Sequence, residues 1–287
     1  MNLSIVIVSW NVKRYLQKCI SVLAANRDRD RFEVIVVDNA STDGTQSMVA
    51  QEFPWVTLIK NKNNEGFASA NNTGLSFSRG KYILFLNPDT EAALGEIQKL
   101  ENVLDVRPEV SAVGPQLFNT DGSLQKSVLR FPTALTLYMY VLKLHGIFKN
   151  NPVARKYFAM DFDYQKSQSV DQIMGACMLV RKSALDAIGG WDSKYFVWFE
   201  EVDLCYRMKK AGLTIWYDAD AHIIHHFGRS FDQLQTVEKQ RQFNQSALRF
   251  AKKHLGFFAW VMLVFLTPLG ILLAYVQQFL GISYAKN

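Results

Sequence analysis

The chain has 287 residues, of which 49% are hydrophobic and 20% are charged, a composition typical of globular proteins that excludes a disordered chain. Its formal net charge of +6 suits a phosphate-rich ligand or an anionic membrane surface. Nucleic acid would also suit this charge, but no helix-turn-helix, zinc or aromatic-platform signature is present, so no nucleic-acid partner is expected. The 3 cysteines have no CxxC spacing, so they indicate neither a disulfide framework nor a zinc site, and a reducing cytosolic compartment is expected.

The first part of the chain alternates strand and helix patterns. Strands are predicted at residues 3–10, 32–37, 56–59 and 82–86, and helices at 15–25 and 68–78. The apolar run at residues 82–86 is too short for a helix and lies between Gly80 and Pro88, which break regular structure. It is therefore predicted to be a buried strand. Since residues 3–10 carry no positive region before them, they indicate a strand and not a signal peptide. This order predicts an α/β fold with a mostly parallel sheet and right-handed crossovers.

Polar residues follow the predicted strands where ligands bind in open α/β sheets, outside the carboxyl ends. Asp38 comes directly after the second strand, and a loop rich in Asn and Gly (residues 61–74) comes after the third. Asp89 stands just past the fourth strand, where a carboxylate can hold a divalent cation against a phosphate. Turn formation and helix capping are the alternative roles of the small polar residues. The chain has no P-loop and no GxGxxG, which argues against a nucleotidyltransferase or a dinucleotide enzyme.

The middle of the chain is less regular. A helix is predicted at residues 94–106 and a strand at 110–114, but periodicity is lost between 118 and 171. An apolar stretch at 134–142 lies inside this segment, and it indicates a membrane-surface or acceptor-binding element or, alternatively, a plain packed helix. The basic residues that flank it are Lys126, Arg130, Lys143 and Lys149.

A second polar centre follows an aromatic run at residues 195–199. Glu200, Glu201 and Asp203 stand at the start of a predicted helix, where the helix dipole favours acids for purely structural reasons. The aromatic neighbours would also place at least one acid in a partly apolar cleft, where burial raises a carboxyl pKa toward that of a general base. Further on, His225 is a candidate metal ligand or phosphate donor, and Arg229 is a candidate phosphate clamp.

The C-terminal part changes in composition. Residues 257–276 contain no charge, and about 20 apolar residues suffice to span a bilayer. A helix that mediates dimerisation or docks on the domain is the alternative, and Pro268 with Gly270 would also permit a re-entrant hairpin. Lys252 and Lys253 on the near side favour a cytosolic catalytic domain.

Six segments in this order resemble family 2 glycosyltransferases, specifically the rhamnosyltransferase-like branch, from about residue 3 to 231. The segments are residues 9–11, 37–44, 64–72, 86–90, 175–176 and 199–205. The resemblance implies a GT-A fold, which is a Rossmann-like, mostly parallel sheet flanked by helices. It also implies transfer of a sugar, with inversion, from a nucleoside diphosphate donor.

The resemblance assigns roles to individual residues. Asp89 matches the last acid of the metal-binding DxD motif, whose first acid is replaced by Asn87, so Mg²⁺ or Mn²⁺ would be held by Asp89, donor oxygens, water and His225. Glu201 stands where the family has its catalytic base, with Glu in place of the usual Asp, and Glu200 and Asp203 are rivals for that role. The residues expected to bind the nucleotide-sugar are Ser9, Trp10, Asn11, Asp38, Asn39, Asn64, Gly66, Asn71, Asn87 and Arg229.

The expected organisation is a GT-A domain at residues 1–250 followed by a membrane-anchoring segment at 251–287. Within the domain, residues 1–115 would bind the nucleotide and 116–250 the acceptor. The branch implies rhamnosyl transfer from dTDP-rhamnose to a lipid-diphosphate-linked glycan, at the cytoplasmic face of the bacterial plasma membrane. The alternatives are a UDP-hexose donor or a catalytically inactive membrane scaffold, and a homo-oligomer is compatible with the sequence.

Overall fold

The computed structural model describes residues 2–25, 32–144, 151–226 and 236–280. The strands are β1 (Leu3–Ser9), β2 (Phe32–Asp38), β3 (Thr57–Lys60), β4 (Tyr82–Leu86), β5 (Thr90–Glu91), β6 (Val110–Phe118), β7 (Leu124–Gln125), β8 (Val128–Leu129), β9 (Gln168–Ser169), β10 (Gln172–Ile173), β11 (Cys177–Arg181) and β12 (Thr214–His225).

Helices flank these strands. They are α1 (Lys13–Ala24), α2 (Thr45–Glu52), α3 (Phe67–Phe77), α4 (Leu94–Val106), α5 (Ala134–Val141), α6 (Pro152–Tyr157), α7 (Lys182–Ile188), α8 (Glu200–Lys210), α9 (Thr236–Phe250) and α10 (Phe257–Phe279). A π-helical turn, Ala251–Leu255, joins α9 to α10.

The main sheet has the strand order β3-β2-β1-β4-β11-β6-β12-β5. The first four of these strands pair in parallel, as the alternating pattern predicts. Strand β11 is antiparallel to both of its neighbours, β4 and β6, whereas β12 runs parallel to β6. Every residue of β1 and of β4 is buried, because helices cover both faces of a largely parallel sheet. The predicted α/β class and mostly parallel sheet are confirmed.

The structure extends several predicted elements. Strand β6 continues to Phe118. Residues 214–225 form one strand, β12, with a bulge between Asp218 and His222. Helix α8 begins at Glu200, so the acidic residues lie inside its first turn. Helix α10 continues through Pro268, so the described residues form one helix there and not a hairpin.

Helices α5, α8, α9 and α10 share a small apolar core beside the sheet. Leu137, Val202, Phe250 and Leu263, one residue from each helix, are all buried in it. The C-terminal helix is therefore packed against the part of the chain that carries the acidic residues. The predicted domain boundaries at residues 115 and 250 stay predictions.

Candidate active site

The carboxyl ends of β1, β2 and β3 are joined by hydrogen bonds. The Asn39 amide donates to the Ser9 carbonyl at 2.8 Å, and the Asn61 amide donates to the Asp38 carbonyl at 2.9 Å. Oδ1 of Asp38 accepts from the Ser41 amide. These bonds hold the loops that follow the three strands in one place, at the sheet edge where the sequence predicts a ligand.

Two buried oxygens at this edge accept no hydrogen bond from the described residues. Oδ2 of Asp38 and Oγ of Ser9 have no hydrogen-bond partner within the described ranges of the chain, although both residues are 0% exposed. A buried polar atom without a partner is costly, so a ligand that donates to them would stabilise the site. These atoms suit the polar edge of a base. Trp10 follows Ser9 in the sequence and is half-buried. Oδ1 of Asn11 accepts a hydrogen bond from the Thr42 amide at 2.8 Å.

The Asn-rich loop meets the aromatic loop that precedes α8. Oδ1 of Asn64 accepts from the Gly66 amide at 3.0 Å, and the Phe67 amide donates to the Phe196 carbonyl at 2.8 Å. Gly66 has φ of +83°, and a Cβ there would lie 2.5 Å from that same carbonyl, so glycine is required. Asn71 lies within α3, is buried, and donates to the Phe67 carbonyl; its side chain therefore supports the helix.

Asp89 and His225 come together although 135 residues separate them. Strand β5 pairs with the end of β12, and the His226 amide donates to the Asp89 carbonyl at 2.8 Å. As a result, Nε2 of His225 lies 3.4 Å from Oδ1 of Asp89, and both side chains are buried. The two residues predicted as metal ligands are thus adjacent.

Gln125 orients the histidine. Its amide nitrogen donates to Oδ1 of Asn119 at 2.8 Å, and its Oε1 lies 2.7 Å from Nδ1 of His225. Since the Gln125 oxygen can only accept, Nδ1 of His225 donates in this hydrogen bond, and Nε2 is the ring nitrogen that faces Asp89. A second hydrogen bond of this kind is usual behind a metal-bound histidine. Sequence patterns gave no sign of Gln125.

The Asp89 and His225 pair fits a divalent cation as a partial ligand set. One carboxylate oxygen and one imidazole nitrogen are ordinary ligands for Mn²⁺, and Mg²⁺ commonly takes one or two protein ligands and completes its shell with phosphate oxygens and water. Within the ranges that the structure describes, no group of three or more His, Cys, Asp and Glu residues could hold a metal. A cation here would therefore depend on the donor's diphosphate for further ligands.

Glu200 and Glu201 lie near the same sheet edge. A Cβ on Gly175 would lie 3.5 Å from Cβ of Glu201, and the Ala176 carbonyl accepts from the Asn87 amide at 2.8 Å. The backbone at residues 175–176 therefore separates Glu201 from the strand end that carries Asn87 and Asp89. The structure thus brings together three of the motifs that the resemblance rests on.

The two glutamates share a buried environment that favours a proton. Burial raises the pKa of Glu200 well above its usual range and the Glu201 charge raises it further, while burial also raises the pKa of Glu201. Oε2 of each has no hydrogen-bond partner in the described part of the chain. The pKa of the Tyr157 hydroxyl is also raised, by burial and then by the Glu201 charge. Tyr157 lies in the segment between residues 118 and 171, where the loss of periodicity gave no sign that this side chain is near Glu201.

The backbone before α8 is strained. Trp198 and Phe199 have φ of +61° and +67°, a conformation that is unfavourable for bulky residues and is found at functional sites. Packing compensates for this strain, since the Phe199 ring contacts the ring of Phe250 and Oγ of Ser246 donates to the Val197 carbonyl at 2.7 Å. Helix α9 therefore fixes the turn that presents Glu200 and Glu201.

Asp203, the third predicted acid, has a different environment. It is 0% exposed and lies 2.7 Å from the cationic side chains of Arg207 and Lys253 and 2.7 Å from Nε2 of His254. Burial alone would raise the pKa of Asp203, but hydrogen bonds from these residues outweigh it and hold the pKa below its usual range. Asp203 therefore holds α8 against the turn after α9. Glu200 and Glu201 remain as the candidate bases.

Among the described basic candidates, Arg130 and Lys143 contact partners other than the strand-end acids. Arg130 forms an ion pair with Asp161. Lys143 is buried and donates to Oε1 of Gln240 at 2.6 Å, and its burial lowers its pKa to about 8. Arg229 and Lys149 lie outside the described residues.

Relatives of known activity resemble the chain over most of its length. It is 27% identical over 265 residues to N-acetylglucosaminyl-diphospho-decaprenol L-rhamnosyltransferase of Mycobacterium tuberculosis, covering 88% of this chain and 85% of that protein. It is 30% identical over 244 residues to rhamnosyltransferase WbbL of Escherichia coli K12, covering 79% and 85% of the two chains.

Solved structures share the fold. The structure superposes with a TM-score of 0.58 on GalNAc-T7 with UDP, GalNAc and Mn²⁺, at 13% identity over 78% of this chain and 44% of that one. It superposes with a TM-score of 0.55 on Staphylococcus aureus TarS in complex with UDP-GlcNAc, at 15% identity over 86% and 66% of the two chains. The chain thus spans less than half of the first structure and about two thirds of the second. These likenesses confirm the predicted GT-A fold.

The sequence relatives and the fold together make the chain a glycosyltransferase with a GT-A fold. Residues 4–189 match the sequence profile of glycosyl transferase family 2. The chain belongs to this family, as the motifs predicted. The matched residues include Asp38, Asp89 and Gly175 but end before Glu200, so Glu201 is connected to the matched region by its proximity to Gly175.

Proposed function

We propose that this enzyme transfers rhamnose from dTDP-rhamnose, with inversion at the anomeric carbon, to a glycan linked to a lipid diphosphate in polysaccharide synthesis. The observation that carries the proposal is the position of residues 175–176 between the two halves of the site. A Cβ added to Gly175 would lie 3.5 Å from Cβ of Glu201, and the Ala176 carbonyl accepts from the Asn87 amide. This arrangement supports a donor held at the strand ends and an acceptor held beside the paired glutamates.

The described side chains have distinct parts in the proposed reaction. Asp38 and Ser9 would bind the nucleoside through their buried oxygens. A carboxylate of the Glu200 and Glu201 pair, with Glu201 as the proposed base, would accept the proton of the acceptor hydroxyl. As that proton leaves, the hydroxyl oxygen bonds to the anomeric carbon and the bond from that carbon to the diphosphate oxygen breaks. Asp89 and His225 would hold Mg²⁺ or Mn²⁺, which supplies positive charge to the departing diphosphate.

The named relatives support the choice of substrates. One relative is named for rhamnosyl transfer to an N-acetylglucosaminyl-diphospho-decaprenol and another is named a rhamnosyltransferase. A lipid acceptor also fits the single helix among the described residues, Phe257–Phe279, that is long and apolar enough to cross a membrane. Membrane association at the cytoplasmic face is part of the proposal.

A donor and acceptor panel tests this proposal. Purified protein with Mn²⁺ is incubated with dTDP-rhamnose or with UDP- and GDP-sugars and a short-chain lipid diphosphate that carries N-acetylglucosamine. Mass spectrometry identifies the product, and NMR gives its anomeric configuration. Transfer from a UDP-hexose alone would remove the rhamnose assignment, transfer to a free sugar would remove the lipid acceptor, and no transfer from any donor would favour the inactive scaffold.

A further inference from the structure

Helix α10 has two faces of opposite character. Its inward face carries the buried residues Leu263, Gly270 and Ala274. Its outward face carries exposed apolar residues at every third or fourth position, which is the helical repeat. These residues are Phe258, Met262, Phe265, Leu269, Leu272, Val276 and Phe279. Only 17% of the most apolar segment of α10 is buried, so α10 is not an ordinary core helix.

The inward face contacts the catalytic domain along the whole helix. Near its start the Tyr138 hydroxyl donates to the Ala259 carbonyl at 3.2 Å. At its middle, a Cβ on Gly270 would lie 2.5 Å from the Val141 carbonyl oxygen, so the two backbones are in close contact. Near its end, the Val237 amide donates to Oε1 of Gln278 at 3.3 Å. Helices α9 and α10 therefore form an antiparallel pair.

This pairing opposes a transmembrane orientation. If α10 crossed a bilayer while docked, α9 would enter the hydrocarbon beside it with the charges of Glu238, Lys239 and Arg241, which is unfavourable. If α10 instead left the domain, the buried residues Val141 and Phe250 would become exposed to solvent. An orientation parallel to the membrane surface satisfies both faces of the helix at once.

We propose that α10 is an in-plane membrane anchor, docked on the catalytic domain by its inward face and inserted among lipid headgroups and upper acyl chains by its outward face. The choice of a bilayer as the occupant rests on the proposed function, because a lipid-linked acceptor lies at such a surface. The width of the outward face also favours a bilayer. The exposed apolar surface extends to Phe257, Val264 and Tyr275, so it is wider than the stripe that one partner helix covers in a coiled coil.

Charge at the edge of the helix is complementary to anionic lipid. Lys252 is exposed directly before α10, and its Nζ lies 5.1 Å above the ring of Trp260. Arg241 on α9 is also exposed, and it donates to the Tyr275 hydroxyl at 3.1 Å. Basic residues beside aromatic rings are typical of helices that lie at a bilayer surface. The anchor is therefore expected to prefer anionic vesicles.

Flotation of the full-length protein tests the anchor without any measurement of sugar transfer, so its outcome is separate from that of the proposed activity. Wild-type protein is mixed with vesicles of phosphatidylethanolamine and phosphatidylglycerol. Phe265→Glu and Leu272→Glu should each lower the bound fraction at least about tenfold, because each places a charge on the inserted face. Val106→Glu is the matched control, since Val106 is 75% exposed on α4, and it should float like the wild type. Equal flotation of all variants would overturn the proposal.

A cross-link distinguishes in-plane from transmembrane binding. Arg241→Cys with Tyr275→Cys, joined by a short bis-maleimide, holds α10 on α9, and the cysteines Cys19, Cys177 and Cys205 are buried and should not react. The cross-linked protein should float as well as the same variant left unlinked. Loss of flotation on cross-linking would show that α10 must leave the domain, and a stable dimer that ignores vesicles would assign the face to a second copy of the chain.

Discussion

Nε2 of His254 lies 2.7 Å from Oδ1 of Asp203, and this contact joins the turn before α10 to the first turn of α8. Lys253 reinforces it, because its Nζ lies 2.7 Å from Asp203 and 2.8 Å from Asp192. The buried ion cluster thus connects the proposed anchor to the helix that presents Glu200 and Glu201. It also explains why an acid two residues from the proposed base is not itself available as a base.

Asp203→Asn should destabilise the protein by about 3 kcal/mol, because it removes the buried charge that pairs with the partly exposed cations of Arg207 and Lys253. The pKa of Asp203 is lowered in the folded state, so its contribution is fully present above the unfolded value of about 4 and is lost as pH falls toward the folded pKa. Thermal unfolding of both proteins between pH 7 and acid pH measures this difference. The exposed Asp121→Asn is the control, and a variant as stable as that control would contradict the prediction.

Glu201→Gln should keep donor binding and lower turnover by about 10²–10⁴-fold, as expected for loss of a positioned base. Glu200→Gln separates the two candidates, since the variant with the larger loss identifies the base. Because burial raises the pKa of both groups, wild-type turnover should fall as pH drops through the raised pKa of the pair. Initial rates across pH give this profile, and full turnover in both variants would place the base elsewhere.

Glu200→Gln should also stabilise the fold at neutral pH, because it removes a carboxyl whose ionisation is opposed by burial and by the Glu201 charge. A carboxyl with a raised folded pKa contributes stability at low pH that is lost as pH rises through that pKa. The wild type should therefore lose stability between acid and neutral pH, and the variant should lose less. Melting temperatures at the two pH values test this, and equal slopes would argue against it.

Asp89→Ala should abolish metal-dependent binding of the nucleoside diphosphate, because it removes the carboxylate that lies 3.4 Å from Nε2 of His225. His225→Ala should weaken the same binding by a smaller factor, and Gln125→Ala should do so indirectly, by freeing the imidazole ring. Calorimetry with dTDP and Mn²⁺ measures each affinity. Asp121→Asn again serves as a control. If Asp89→Ala bound dTDP and Mn²⁺ with wild-type affinity, the assignment of Asp89 as a metal ligand would be wrong.

Gly270→Ala should weaken the docking of α10, because the new Cβ would lie 2.5 Å from the Val141 carbonyl oxygen. Gly95→Ala is the matched control, because a Cβ there meets nothing within 4 Å and alanine favours a helix by up to about 1 kcal/mol. Thermal unfolding should show a lower melting temperature for the first variant and an unchanged or higher one for the second. Two identical melting temperatures would mean that α10 is not held at Val141.

The sequence by itself determined the α/β class, the parallel core strands and the positions of Asp38 and Asp89 at strand ends, because local hydrophobic periodicity and strand-breaking residues encode these features. It also placed the chain in its family. Only the tertiary structure decided that His225 lies beside Asp89, since this depends on the pairing of β5 with β12, and that Asp203 is anchored by His254. Such contacts join segments distant in the chain, and no local pattern records which residues long-range packing will bring together.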